Sequence, residues 1–422
     1  MEADDIDELF IRLCELYNLY KKYKNNKKQR RYGIRPINKN WATAGYQLRT
    51  FQLMRTKEPE QWFLQTRMPP HIFDMLLKLV SKSLWKPKQR IGPEERLSLA
   101  LLYLSQGLSM QSISGSYKLG KETVRKIVFE TCEVIWRLLS PVYVSEPTES
   151  QYQDIAKDFY NIWNIPNCVG AIDGKHVAIK CPANSNAMFY NYKKFYSIVL
   201  MAACDAKYTF TAVSIGSFGS QSDGGIFQLS PFGQALMQNT LPLPPPQPLS
   251  SVSTESFPHF FIGDAAFPLR TNLMRPYPGS NLTRTKRIFN YRLSHARRVI
   301  ENSFGILTAR WRVLRTTIEC CPESCEKIVL ACIALHNFIM LNDQNRWYCP
   351  ENYVDQVKAG NVVHLGEWRC EIENDRSLLA MRSAVRRGPA TAFNLRDKLA
   401  NYFINEGYLP FQDNIDHNLG EP

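Results

Sequence analysis

Three carboxylates stand out by their setting. Asp173 follows the apolar run Val169-Gly-Ala-Ile172, and Asp264 follows Phe260-Phe-Ile-Gly263. Glu301 lies in a stretch whose Ala296, Ile300, Phe304 and Leu307 recur at helical spacing. An acid at the end of a buried strand sits on the rim of the core, partly desolvated and aimed by the strand. Ligands for hard cations are commonly held in this way. The competing reading for each aspartate is a turn residue, since Asp-Gly is a strong turn signal. For Glu301 the plainer reading is an ion pair with Arg297, one turn earlier on the same helix.

The surroundings of Glu301 favour chemistry. Between Arg284 and Arg315 there are nine Lys and Arg and a single acid, Glu301. A lone carboxylate in a basic band suits a place where a phosphodiester meets a cation, the arginines holding flanking phosphates and the acid holding the ion. Hydrolysis of such an ester needs an in-line water and a stabilised leaving oxygen. Two hard cations about 3.5–4 Å apart can provide both. Mg2+ and Mn2+ prefer oxygen ligands, which is what carboxylates offer. A soft-metal site is not expected. Cys325, Cys332 and His336 fall near one helical face and read as core, and Cys320-Cys321 lack zinc spacing.

The elements that must position these acids read as an α/β unit over residues 160–340. Cys168–Ile172 is a first strand, continued by Val177–Ile179. Ser197–Cys204 is a second, and Thr209–Ile215 returns as a third across the turn Asp205–Tyr208. Short joins imply an antiparallel meander. A helical stretch from Asp223 to Met237 follows, then a Pro/Ser-rich loop over Leu241–Ser256 that is expected to be mobile. Phe260–Ile262 is a fourth strand, and residues 294–310 are helical again.

Before this unit, residues 1–65 read as a basic, partly flexible arm carrying Lys21, Lys22, Lys24, Lys27, Lys28, Arg30 and Arg31. Such a run fits a nuclear-import signal or a phosphate-contacting arm, and equally a solvated helix face. Residues 66–150 read as an all-α domain. Pro93 opens a helix that Gly107 stops, Met110–Ser116 is short, and Gly120 leads into a long apolar-periodic helix. That order is the organisation of a helix-turn-helix unit, with Lys121, Thr123, Arg125 and Lys126 in the first turns of its last helix. An ordinary helical bundle with exposed lysines is the alternative. Residues 341–422 read as a polar tail ending in a helix near Leu395–Phe403.

Composition agrees with an acidic partner. The chain has 52 Lys+Arg against 39 Asp+Glu, a net charge of +13, and 44% hydrophobic residues, enough for a sizeable core. No apolar run is expected to reach the roughly 18–20 residues that span a membrane. Met1-Glu-Ala-Asp-Asp5 lacks the basic and apolar regions of a signal peptide, so an intracellular location is expected. The 11 cysteines have irregular spacings and read as small buried residues rather than a disulfide framework. A glycosidase with two working carboxylates is disfavoured by the basic band and the helix-turn-helix-like region.

Three blocks then occur in order: Gly170-Ala-Ile-Asp-Gly-Lys-His-Val177, Ile262-Gly-Asp-Ala-Ala-Phe-Pro-Leu269 and Val299-Ile-Glu-Asn-Ser-Phe-Gly305. With Gly219-Ser-Gln-Ser-Asp223, Phe289-Asn-Tyr-Arg292 and Leu335-His-Asn337, they resemble the PIF/Harbinger transposases and the nucleases derived from them, over residues 68 to 340. The resemblance implies a ribonuclease-H-like fold and a metal-dependent DNA endonuclease. Asp173, Asp264 and Glu301 would be its catalytic Mg2+ or Mn2+ ligands, and Asp223 a further one. Arg297 and Arg298, with Lys121, Arg125 and Lys126, would contact DNA. It also implies a Myb-like DNA-binding partner protein and a nuclear location, with the cytoplasm as a second. The oligomeric state stays open, a homo-oligomer among the options. The chain departs from the family at Ser222, where His is usual, at Lys175, where Thr is frequent, and at Ala265-Ala266, where Ser-Gly is common. A domesticated, non-catalytic DNA-binding or adaptor protein with the same fold is the alternative.

Overall fold

The computed structural model describes residues 12–20, 50–87, 90–185, 187–221, 223–358, 361–372, 378–380 and 388–413. The basic run from Lys21 to Arg31 therefore lies outside the described residues.

The amino-terminal half is helical, and its helices start where the sequence provides starts. Prolines occupy the first turn of α2 (Pro59–Thr66), α3 (Pro70–Leu84) and α4 (Pro93–Gln106), where a missing N–H costs nothing; α1 is Gln52–Lys57. Ser109 caps α5 (Met110–Tyr117), Gly120 precedes α6 (Lys121–Tyr143), and Thr148 and Gln151 form a capping box on α7 (Glu149–Trp163). Residues 51–66 are not an arm. Trp62 is fully buried, with its ring 4.3 Å from Phe51 and 5.1 Å from Phe73. Sequence pattern does not show this, because the packing is aromatic and long-range, without helical periodicity.

The second half is built on a mixed sheet. Its strands are β1 (Cys168–Ala178), β2 (Ser197–Cys204), β3 (Phe210–Phe218), β4 (Phe260–Ile262), β5 (Leu273–Met274) and β6 (Leu378–Ala380). The order is β3-β2-β1-β4-β5, with β6 also on β1. β1, β2 and β3 are antiparallel neighbours, and β4 and β5 run parallel to β1. Helices cover both faces. One face packs α10 (Arg284–Arg310) and α11 (Pro322–Asn342), and the other packs α7, α8 (Asp223–Leu229) and α9 (Pro231–Gln238). That is why β2 reads as an unbroken apolar run, every residue of it buried. The first face shares one continuous core with α2–α6, so the helical region and the sheet unit are welded together.

Four expectations need correcting. Asp173 is mid-strand, not at a strand end, because β2 pairs straight through it: Asp173 lies opposite Ala202 and Gly174 opposite Met201. The Asp223–Met237 helix is broken at Ser230-Pro231, where Ser230 caps the second segment. The Leu241–Ser256 loop is tied down: Asn167 Nδ2 donates to Gln247 O at 2.8 Å and Phe257 O at 2.9 Å. Finally, one run does meet membrane-spanning length and composition. Pro322–Asn342 has 21 residues and contains an 18-residue stretch of mean hydropathy 1.5. It is a core helix, with Cys325, Cys332 and His336 buried in it and Phe338 packed on Tyr143. The last helix, α13, runs Ala390–Ile404 after the short α12 (Glu367–Ile372).

Candidate active site

Strand alternation assembles the first part of the site. Ala171, Asp173, Lys175 and Val177 share one face of β1, the face that packs under α10. On its free edge β1 changes partner at this point. Ala171 is paired with Ile262 of β4, whereas Lys175 to Val177 are paired with β6. Asp173 lies in the gap between them. Asp264 follows the end of β4 by two residues, and its carboxyl lies within the field of Asp173.

The electrostatics agree. Burial pushes the Asp264 carboxyl above the usual aspartate range, and the negative charge of Asp173 pushes it further. The Ala266 N–H, which donates to Asp264 Oδ1 at 2.8 Å, opposes this rise, as do the charges of Arg297 and Lys175. Asp173 is buried. Its Oδ1 accepts from the Gly174 N–H at 2.9 Å, and its Oδ2 is 3.0 Å from Lys175 Nζ. Lys175 also lies 5.6 Å from the centroid of the Phe304 ring, which ties β1 to α10 one turn past Glu301.

Glu301 is half-buried on α10, one turn after Arg297, whose charge acts on Asp264, and one turn before Phe304, which meets Lys175. Its charge acts on Arg369, whose guanidinium is held protonated first by hydrogen bonds to Asp355 and then by the charges of Asp355 and Glu301. Arg369 Nε donates to Asp355 Oδ1 at 2.8 Å, and Arg298 Nη1 reaches Asp355 Oδ2 at 3.4 Å. Among the described residues no ion pair joins Glu301 to Arg297. Asp223 opens α8, and its side chain lies outside the described residues. Asp173 and Asp264 are thus brought together. Among the described residues, no three of His, Cys, Asp and Glu gather as a cation-holding group.

Residues 172–337 match the family model of the DDE superfamily endonucleases. The chain carries a DDE superfamily endonuclease domain. The match holds Asp173, Asp223, Asp264 and Glu301 and ends on the Leu335-His-Asn337 motif. The chain is also similar to the "Putative nuclease HARBI1" of Bos taurus, 26% identical over 322 residues, which are 74% of this chain and 87% of the relative. The human protein of that name is 26% identical over 290 residues, 67% of this chain and 78% of the relative. "Protein ALP1-like" of Arabidopsis thaliana is 29% identical over 266 residues, 59% of this chain and 61% of the relative. No solved structure matches the chain.

Within the DDE domain, the motif residues outside the acids hold the frame. Asn337 Oδ1 accepts from the Phe210 N–H at 2.9 Å, and its Nδ2 donates to Phe210 O at 2.7 Å, pinning the start of β3. His336 is a satisfied core histidine, with Nδ1 3.1 Å from the Tyr348 hydroxyl and Nε2 2.9 Å from Tyr208 O. Arg292 reaches Gly407 O at 3.0 Å and Gln412 Oε1 at 2.7 Å, anchoring the carboxy-terminal segment. Lys121, Arg125 and Lys126 are all exposed at the start of α6. Arg125 bonds Glu122 at 2.8 Å, and Lys126 lies 3.9 Å from Glu130.

The donor chemistry of the Asp173–Asp264 pair fits a hard cation. Two carboxylates in a partly desolvated place repel each other, and a positive ion between them relieves that repulsion. Asp355 and Arg369 are residues that the sequence reading does not single out, and it names Lys175 only as a departure from the family, with no role. Alternation alone places Lys175 on the face of Asp173 and is the signal that could have found it. Asp355 and Arg369 come from the polar tail and give no such signal.

Proposed function

We propose that this protein is a divalent-metal-dependent endonuclease of the Harbinger type that hydrolyses DNA phosphodiester bonds beside Asp173 and Asp264. The observation that carries the reading is that Asp173 on β1 and Asp264, two residues past the end of the parallel neighbour β4, lie close enough for the charge of Asp173 to act on Asp264. The strand order supports a ribonuclease-H-like frame, an antiparallel β1–β3 meander with β4 and β5 added parallel to β1. Asp173, Asp264, Glu301 and Asp223 would hold Mg2+ or Mn2+, which when bound supplies charge neutralisation at the phosphate and a more acidic water. Arg297, whose charge acts on Asp264, holds a non-bridging phosphate oxygen next to the acids. Lys121, Arg125, Lys126 and Arg298 hold phosphates further along the duplex. On this reading the chain works in the nucleus, with the cytoplasm as a second location and a Myb-like DNA-binding partner.

One observation favours a second reading, a non-catalytic DNA-binding or adaptor protein. Lys175 neutralises Asp173, and the charge of Glu301 acts on Arg369. Incubation of the full chain with supercoiled plasmid and Mg2+ or Mn2+ separates the two. Nicking that Asp173→Asn abolishes supports the endonuclease. Plasmid binding without nicking under either ion supports the adaptor.

A further inference from the structure

Lys175 is not a solvated strand lysine. Its side chain is 14% exposed, its Nζ is 3.0 Å from Asp173 Oδ2, and its ammonium lies against the Phe304 ring. The other oxygen of Asp173 accepts from the Gly174 N–H, and Asp264 Oδ1 accepts from the Ala266 N–H. A carboxylate that bridges two cations offers one oxygen to each. Here one oxygen of Asp173 already faces a fixed positive charge. A second divalent ion about 3.5–4 Å from the first would have to share that space with the ammonium. The charge of Lys193 also acts in this neighbourhood, since it and Lys175 repel one another.

We propose that Lys175 takes the place of one of the two cations, so that the pocket holds a single divalent ion and the ammonium is its second positive charge. This rests on the metal-dependent reading above. Lys175 acts through Asp173 and is a positioning residue. It keeps one carboxylate oxygen out of ion binding and directs the ion to the side of Asp264.

The test is a Mn2+ titration of the full chain, read from the electron paramagnetic resonance signal of free Mn2+, which gives ions bound per chain without any turnover. The unaltered chain is expected to bind one ion. Lys175→Thr, which suits a strand and removes the ammonium, is expected to bind two. Lys175→Met keeps the stem over Phe304 and is expected to bind two as well, which covers the case in which Lys175→Thr fails to fold. Lys175→Arg restores the charge and is expected to bind one. Two ions in the unaltered chain, or one in every variant, overturn the role of Lys175 and leave the metal reading standing. An ion in Lys175→Thr but none in the unaltered chain overturns the single-ion site. No ion in any chain overturns the metal reading and this proposal together.

Discussion

The indole of Trp368 occupies the space that a β-carbon on Gly305 would need, with ring atoms 2.4 Å from that position. Its Nε1 donates to Asn302 Oδ1 at 2.9 Å, so Asn302 and Gly305 of the third motif form a seat for the tail. The next residue is Arg369, which carries the Asp355 pair beside Glu301. Gly305→Ala is therefore expected to unseat Trp368 and to cost roughly 1–3 kcal/mol, as overpacking usually does. Thermal unfolding with limited proteolysis checks it. An unchanged midpoint and an unchanged order of cleavage in the 345–413 region would show that the tail is not seated there.

Asp173→Asn and Asp264→Asn are expected to abolish metal-dependent cleavage alike but to differ in stability without metal. Asp264 is half-buried, partly desolvated and repelled by Asp173, so removing its charge relieves that repulsion, and the midpoint in chelator holds or rises. Asp173 is the ion-pair partner of a mostly buried lysine. Its loss leaves the ammonium unpaired, at a cost of roughly 1–3 kcal/mol. Denaturant titrations in chelator read the difference. A lower midpoint for Asp264→Asn would mean that the two acids do not face one another.

Histidine burial sets a pH dependence. Burial lowers His336 to about 4, and a hydrogen bond to Tyr208 O partly opposes the shift. The unfolded chain binds this proton near the ordinary value of about 6.5 and the folded chain only near 4, so between these values the unfolded state carries more protons. The stabilisation is complete above about pH 6.5 and is lost as pH falls toward 4. His336 contributes on the order of 2–3 kcal/mol, and His176, lowered to about 4 by burial first and the charge of Lys193 second, acts in the same sense. Urea midpoints at pH 7.5 and pH 4.5 check this. In His336→Gln the drop between the two should be smaller. An equal drop would assign the acid sensitivity to other groups.

Replacing Lys121, Arg125 and Lys126 together by Ala should weaken DNA binding and flatten its salt dependence, by about 0.9 in the log–log slope for each phosphate no longer neutralised. All three are exposed, so the fold should be unaffected. Two of them already face acids of their own helix, Glu122 and Glu130, and must leave those partners to meet phosphate. An unchanged salt slope would move the binding surface to the basic band of α10.

What could be read in advance follows from what leaves a local pattern. β2 is legible because both faces of the sheet are covered, and α4 because Pro93 and Gly107 punctuate it, with Gly107 in the left-handed conformation at φ 64°. The positions of Asp173, Asp264 and Glu301 on or after their elements are legible for the same reason. Asp173-Gly174 misleads as a turn because its pairing with Ala202 and Met201 is non-local and leaves no mark in the sequence. The tail misleads more. Trp368, Arg369 and β6 all contribute to the domain, yet their polar neighbours hide them. The ion pair between Arg297 and Glu301, the plainer reading of the sequence, rests on local spacing alone. Among the described residues no ion pair joins the two; the charge of Arg297 acts on Asp264 and that of Glu301 on Arg369.

That rearrangement sharpens the test of Glu301. As a ligand, Glu301→Gln should lower cleavage by orders of magnitude and leave the unfolding midpoint in chelator almost unchanged, because an uncharged amide oxygen is a poor partner for Mg2+. As a structural partner of Arg369, it should instead behave like Arg369→Ala, with a lower midpoint and cleavage reduced only in proportion to the folded fraction. Arg297→Ala supplies the third comparison. It removes a positive charge that acts on Asp264, so DNA affinity should fall while the response of Glu301→Gln to Mg2+ stays the same. Cleavage, DNA binding and unfolding of the three variants across a Mg2+ titration give the answer. The expected pattern is lost cleavage with intact folding and DNA binding in Glu301→Gln alone. If Glu301→Gln and Arg369→Ala shift all three readouts together, Glu301 belongs to the seat of the tail and not to the site of the two aspartates.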